Sequence, residues 1–167
     1  MKWTEGYIHV AMRNVLRSWE WTLIAGEYPG GSDHDLHPLN IVDPTVACDR
    51  SPDPRRHSLG ELIPDLVALK GTKLIIAEAK VGYDDGDRLK LISLLGEHID
   101  RFWTALEKFA DERDFPQLKP VRKLRLYPTL VFRSGVPAPI PSDRFSYIRI
   151  IEMHEAVFEG ALRAGSP

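Results

Sequence analysis

Polar and apolar positions along the chain follow two periods, and each marks a different kind of element. Between positions 5 and 19, Ile8, Met12, Val15, Leu16 and Trp19 recur at three-to-four spacing, which predicts a helix with one buried face. Thr4 stands where an N-cap is needed. WTLIAGEY at 21–28 predicts a strand, stopped by Pro29 and two glycines. Leu62–Lys70 and Lys73–Lys80 are apolar on both faces, as central buried strands are. Gly71-Thr72 between them suits a type II′ hairpin turn. From Asp87 to Arg113 the stripe Leu91, Leu94/Leu95, His98/Ile99, Phe102, Leu106 and Phe109 predicts one long helix. Asp85 or Asp87 is available to cap it, and Pro116 lies past its end.

LRLYPTLVFR (124–133) and SYIRII (146–151) read as strands, with Pro128 making the first irregular or late to start. A short helix is expected over Glu155–Arg163. Positions 29–60 are rich in Pro, Gly, Asp and His and read as a long loop insertion, with a short strand near Leu39–Val42. The sum is a single α/β (α+β) domain over residues 1–167, a small mixed sheet flanked by helices.

The hairpin carries an arrangement that needs explaining. Closing the turn between Lys70 and Lys73 sets Leu69 opposite Leu74, Val67 opposite Ile76, and Asp65 opposite Glu78. Directly opposed side chains lie about 5 Å apart, where like charges repel. Two carboxylates there call for a cation, a shared proton, or both. Lys80, two residues past Glu78, falls on the same face. Two acids and a lysine converging on one spot resemble a divalent-metal site with an auxiliary cation.

Pro64-Asp65, twelve intervening residues, then Glu78-Ala79-Lys80 resembles the motif of the PD-(D/E)xK nuclease superfamily. The element order is similar to that family's αβββαβ core, so the resemblance covers most of the chain. It implies a restriction endonuclease-like fold in which Asp65, Glu78 and the backbone carbonyl of Ala79 hold Mg²⁺, with Mn²⁺ able to substitute. Lys80 is then expected to position the attacking water, and Glu5, on the first helix, to match a further glutamate of the site. A first-turn acid complementing the helix dipole is the plainer reading of Glu5. The activity implied is hydrolysis of DNA phosphodiester bonds, of restriction/defence type or junction/repair type. The alternative is a non-catalytic nucleic-acid-binding module that keeps the fold. An unrelated domain whose Asp65–Glu78 pair shares a proton is a third reading.

Charge adds a partner. The whole chain carries a formal net charge of −2, yet residues 115–150 hold Lys119, Arg122, Lys123, Arg125, Arg133, Arg144 and Arg149 against Asp143 alone. That surplus points to a phosphate-binding face, which Arg50, Arg55, Arg56 and His57 before the hairpin would extend. Asp33, His34, Asp35 and His37 match no zinc spacing and read as a solvated loop. A single cysteine, Cys48, excludes a disulfide framework and suits a reducing cytoplasm. No apolar run reaches the ~20 residues that span a bilayer, and MKWTEGYIHV lacks the apolar core of a signal peptide. A duplex substrate would favour a two-fold homodimer, with Trp3, Tyr7 and Trp21 as candidate interface residues.

Overall fold

The computed structural model of the chain describes residues 2–28, 36–41 and 62–162. Helix α1 (Glu5–Ser18) comes first, and the Thr4 hydroxyl accepts the Tyr7 amide at 3.1 Å as its cap. Strands β1 (Thr22–Gly26), β2 (Leu66–Lys70) and β3 (Lys73–Ala79) follow, each antiparallel to the next. Helices α2 (Asp85–Leu95) and α3 (Ile99–Glu112) carry the chain over to β4 (Arg125–Arg133), which lies parallel to β3. Strand β5 (Ser146–Glu152) is parallel to β4, and β6 (Glu155–Gly160) returns antiparallel beside it. Among the described residues the result is a mixed α/β fold with six strands in chain order in one sheet.

The doubly apolar hairpin explains the layering. Leu66, Ala68, Ile75 and Ala77 turn to one face, where Ile8, Met12 and Leu16 of α1 cover them. Val67, Leu69, Leu74 and Ile76 turn to the other, against Leu91 and Leu94 of α2 and Phe102 and Leu106 of α3. A buried aromatic of that kind stabilises heavily: truncating Phe102 to alanine costs about 3–5 kcal/mol. Gly71 opens the hairpin turn at φ 60°, while Thr72 stays out of the left-handed region, as a type II′ turn requires. The pairs Leu69–Leu74 and Val67–Ile76 form as the sequence predicts.

Five expectations are corrected. The long helix is two, broken at Gly96, whose φ −111° and ψ −89° leave the helical region. A Cβ there would come within 2.8 Å of the Ile92 carbonyl oxygen, so glycine permits the close turn. Its cap is Asp84, which accepts the Asp87 amide at 3.1 Å, and not Asp85 or Asp87.

Of the residues expected as a terminal helix over Glu155–Arg163, Glu155–Gly160 form β6 instead, and Arg163 lies outside the described residues. A segment that short cannot sustain a helix alone, whereas the open edge of β5 offers a full ladder, and Phe158 lies against Trp19 with ring centroids 4.1 Å apart. Pro128 neither delays nor breaks β4: β5 begins to pair only at Thr129, so a one-sided strand accommodates the missing N–H. Leu39 and Ile41 are buried against the sheet without forming a strand, and Val42 lies outside the described residues.

Candidate functional site

The hairpin's register delivers the two acids. One step past the last paired residues, Leu66 and Ala77, it sets Asp65 opposite Glu78. Asp65 is held on both sides of its Cα. Its carbonyl accepts the Glu27 amide at 3.0 Å, and its Oδ2 accepts the Ala79 amide at 2.8 Å. Glu78 follows Leu74 and Ile76 onto the sheet face covered by α2, and its side chain is only 4% exposed. Burial, then the facing Asp65 carboxylate, push the Glu78 carboxyl well above the usual range, against the pull of Lys90. Desolvation penalises the charged form, and a second negative charge adds to the penalty.

Lys90 is the residue that sequence reasoning missed. It lies on α2, its Nζ stands 2.6 Å from Glu78 Oε1, and it donates to the Ile63 carbonyl at 2.6 Å. The approach to Oε1 is an ion pair and not a well-directed hydrogen bond, since among the described residues that buried oxygen meets no partner at hydrogen-bonding angles.

Lys80 reaches the same end of the sheet and faces a different pair of acids. Its Nζ is 2.9 Å from Asp84 Oδ2 and 3.6 Å from Asp87 Oδ1, both at the start of α2. The hydrogen bond to Asp84 raises the Lys80 ammonium above its ordinary value and lowers Asp84. Lys80 therefore carries its charge throughout the neutral range. Asp87 is pushed up to about 6, chiefly by burial, with Lys80 opposing and Asp84 and Asp65 adding to the rise. That mutual influence of Asp65, Asp87, Lys80 and Lys90 marks one electrostatic neighbourhood at the end of β2–β3 and the start of α2.

Helix α1 closes the other side. His9 Nε2 is 3.6 Å from Asp65 Oδ2 and 3.9 Å from Glu5 Oε1, with the imidazole 1% exposed and Glu5 47% exposed. Burial lowers the His9 pKa, opposed by Asp65 and Glu5, so the ring is neutral at pH 7. Glu5 thus adjoins the pair through His9. The helical spacing of Glu5 and His9 carried that signal, because positions four apart share a face.

The expected phosphate-binding residues are dispersed. Arg55 and Arg56 lie outside the described residues, as do Arg50 and His57. In the β3–β4 ladder Arg125 stands beside Lys73, while Glu78 stands beside Leu130. Five residues of strand separate the two, about 17 Å at ~3.3 Å per residue. Lys119, Arg122 and Lys123 precede Arg125 at that far end; Lys119 is paired with Asp111, and Arg122 lies 3.6 Å from Asp100. Arg149 is held by Glu159 at 2.9 Å. Arg133 and Arg149, neighbours across the β4–β5 ladder, reach the acidic end, and the Arg133 amide is bonded to the Val81 carbonyl at 3.1 Å. Trp21 is buried, and Trp3 and Tyr7 pack edge to face at 5.1 Å, so none of the three is a bare interface side chain. No helix among the described residues is long and apolar enough to cross a membrane.

The donor atoms at the pair are hard oxygens, the kind that Mg²⁺ and Mn²⁺ take in preference to softer metals. Among the described residues no three His, Cys, Asp or Glu side chains are gathered closely enough to hold a metal by themselves. The set to weigh is therefore two carboxylates with backbone and solvent, which suits an ion that keeps much of its water. The buried, incompletely bonded Oε1 of Glu78 fits such an ion. No protein-family model matches the chain, and neither a curated protein nor a solved structure matches it.

Proposed function

We propose that the chain is a metal-dependent endonuclease that hydrolyses DNA phosphodiester bonds at the Asp65–Glu78–Lys80 end of the sheet. The observation that carries this reading is the facing pair itself: a buried glutamate and a backbone-anchored aspartate set together at a sheet end. Like charges so placed are unfavourable in a fold that has no use for them. The sequence resemblance to PD-(D/E)xK nucleases points the same way, as does a helix, three antiparallel strands, a helical crossover and a parallel fourth strand.

A divalent cation held by Asp65, Glu78 and the Ala79 carbonyl would supply Lewis acidity at the phosphate and acidify an attacking water. The chain's own residues do the rest. Asp65 is fixed in place by the Ala79 and Glu27 amides, so its carboxylate needs little reorganisation. Lys80, permanently charged, donates to a phosphate oxygen or to the nucleophilic water and does not serve as the base. Asp87 has a proton affinity near neutrality, where general bases work best, and it already contacts Lys80. Glu5, half exposed on α1, faces the approach to Asp65 through His9.

A duplex substrate requires two such centres or two visits by one, and a two-fold dimer fits an antiparallel duplex. The exposed apolar side chains Leu89 and Ile92 of α2 suit that interface better than Trp3, Tyr7 or Trp21.

One observation favours a second reading. The facing Asp65 carboxylate adds to the rise of the Glu78 carboxyl, and holding one proton between them is how a structural carboxyl pair in a non-catalytic module would avoid repulsion. Titration with Mn²⁺ separates the two. A nuclease centre binds the ion, and Asp65→Asn abolishes binding; a proton-sharing pair leaves both proteins without a site.

A further inference from the structure

The Glu78 carboxylate already has a cation in the resting protein, and it comes from a different element than the motif lysine. Lys90 Nζ stands 2.6 Å from Glu78 Oε1 and is tethered by the Ile63 carbonyl at 2.6 Å. Glu78 is almost wholly buried, whereas the Lys90 side chain is 28% exposed, so the lysine can retreat toward solvent while the glutamate stays in place. An ammonium at that distance takes up one of the two carboxylate oxygens that a metal ion could use. Lys80 is committed to Asp84 and Asp87 and does not take this place.

Resting on the proposed metal reading, we infer that Lys90 is a built-in stand-in for the metal: it neutralises Glu78 in the resting protein and competes with the divalent ion for the same oxygen. Two cations cannot both hold Oε1 closely, since like charges repel strongly in a poorly solvated site. The lysine swings out along its flexible stem when the ion enters. Resting metal affinity is therefore set below what the two carboxylates alone would give. The device keeps the hairpin folded when no ion is bound, because a buried carboxylate without a partner is costly.

The test is Mn²⁺ affinity, measured calorimetrically on the full chain for the wild type, K90Q and K90R. It is run at pH 8.5, where a proton competes less for the carboxylates than at neutral pH. K90Q keeps a donor for the Ile63 carbonyl and loses the charge. It should bind Mn²⁺ on the order of tenfold more tightly, which is about 1.4 kcal/mol, while K90R stays near the wild type. Without metal, K90Q should melt lower than the wild type and recover the difference with Mn²⁺; refolding by the ion would be the extreme form of the same result. Wild-type binding with equal or weaker affinity in K90Q overturns the inference and leaves the metal site standing. A K90Q protein that stays unfolded in saturating Mn²⁺ also overturns it. No Mn²⁺ binding by the wild type overturns the metal reading and this inference together.

Discussion

Asp87 offers a direct measure of the electrostatic strain at the site. Its carboxyl rises from 3.8 to about 6, chiefly because burial disfavours the charge. A raised acid binds its proton more tightly when folded. The stability it contributes is therefore complete below pH 4 and is lost as pH climbs through about 6. A shift of about 2 units corresponds to about 3 kcal/mol at ~1.4 kcal/mol per unit. The side chain is 14% exposed and Lys80 lies 3.6 Å away, so about 1–3 kcal/mol is the range to expect. Asp87→Asn keeps the shape and removes the charge, and Asp84 still holds Lys80 at 2.9 Å. In urea unfolding without metal, the variant should match the wild type near pH 4. At pH 7.5 it should exceed the wild type by that amount, or about 3–10 °C in Tm for a domain of this size. Carboxyls remote from Asp87 titrate alike in both proteins and cancel in the difference, while Asp84 and Asp65 are relieved of its charge in the variant and shift the difference in the same direction. A variant less stable than the wild type at pH 7.5, with the gap constant down to pH 4, would refute the desolvation argument.

Two further outcomes separate chemistry from binding. Lys80→Met should lose at least about a hundredfold in turnover while its DNA affinity, measured in Ca²⁺, changes only a few-fold, because a group acting in the transition state affects rate more than binding. Comparable losses in both would make Lys80 a binding residue. Removing Arg122 and Lys123 together should weaken binding to all sequences alike and flatten the salt dependence by about one unit for each phosphate no longer neutralised. An unchanged salt slope would confine those side chains to pairings within the protein, such as Arg122 with Asp100.

The acidic pair was legible because a tight hairpin fixes register locally: the turn at Gly71-Thr72 determines what faces what several residues away. Lys90 and Asp87 were not. Their positions depend on where α2 begins and how it rotates on the sheet, which a local period does not determine. Asp84 takes the cap, leaving Asp87 to turn toward Lys80. The apolar stripe from Leu91 to Phe109 named the buried side chains correctly, and Gly96 still breaks the rod, since burial pattern and helix continuity are separate constraints. Glu155–Gly160 is rich in helix formers, yet its partner β5 lies next to it and supplies the ladder. The basic segment was read as one patch from composition. The strand register spreads it from Arg125 at one end of the sheet to Arg133 at the other.

Cleavage of an end-labelled DNA duplex in Mg²⁺, under single-turnover conditions, is the most direct test of the proposed chemistry when the wild type is run beside Glu78→Gln. The glutamine is nearly isosteric with a buried side chain and removes only its charge, so the fold should persist. The expected result is Mg²⁺-dependent cleavage by the wild type, abolished by EDTA and reduced at least about a hundredfold in the variant. Cleavage that persists in Glu78→Gln, or a wild type that leaves duplex, single-stranded and branched DNA uncut in both Mg²⁺ and Mn²⁺, would contradict it.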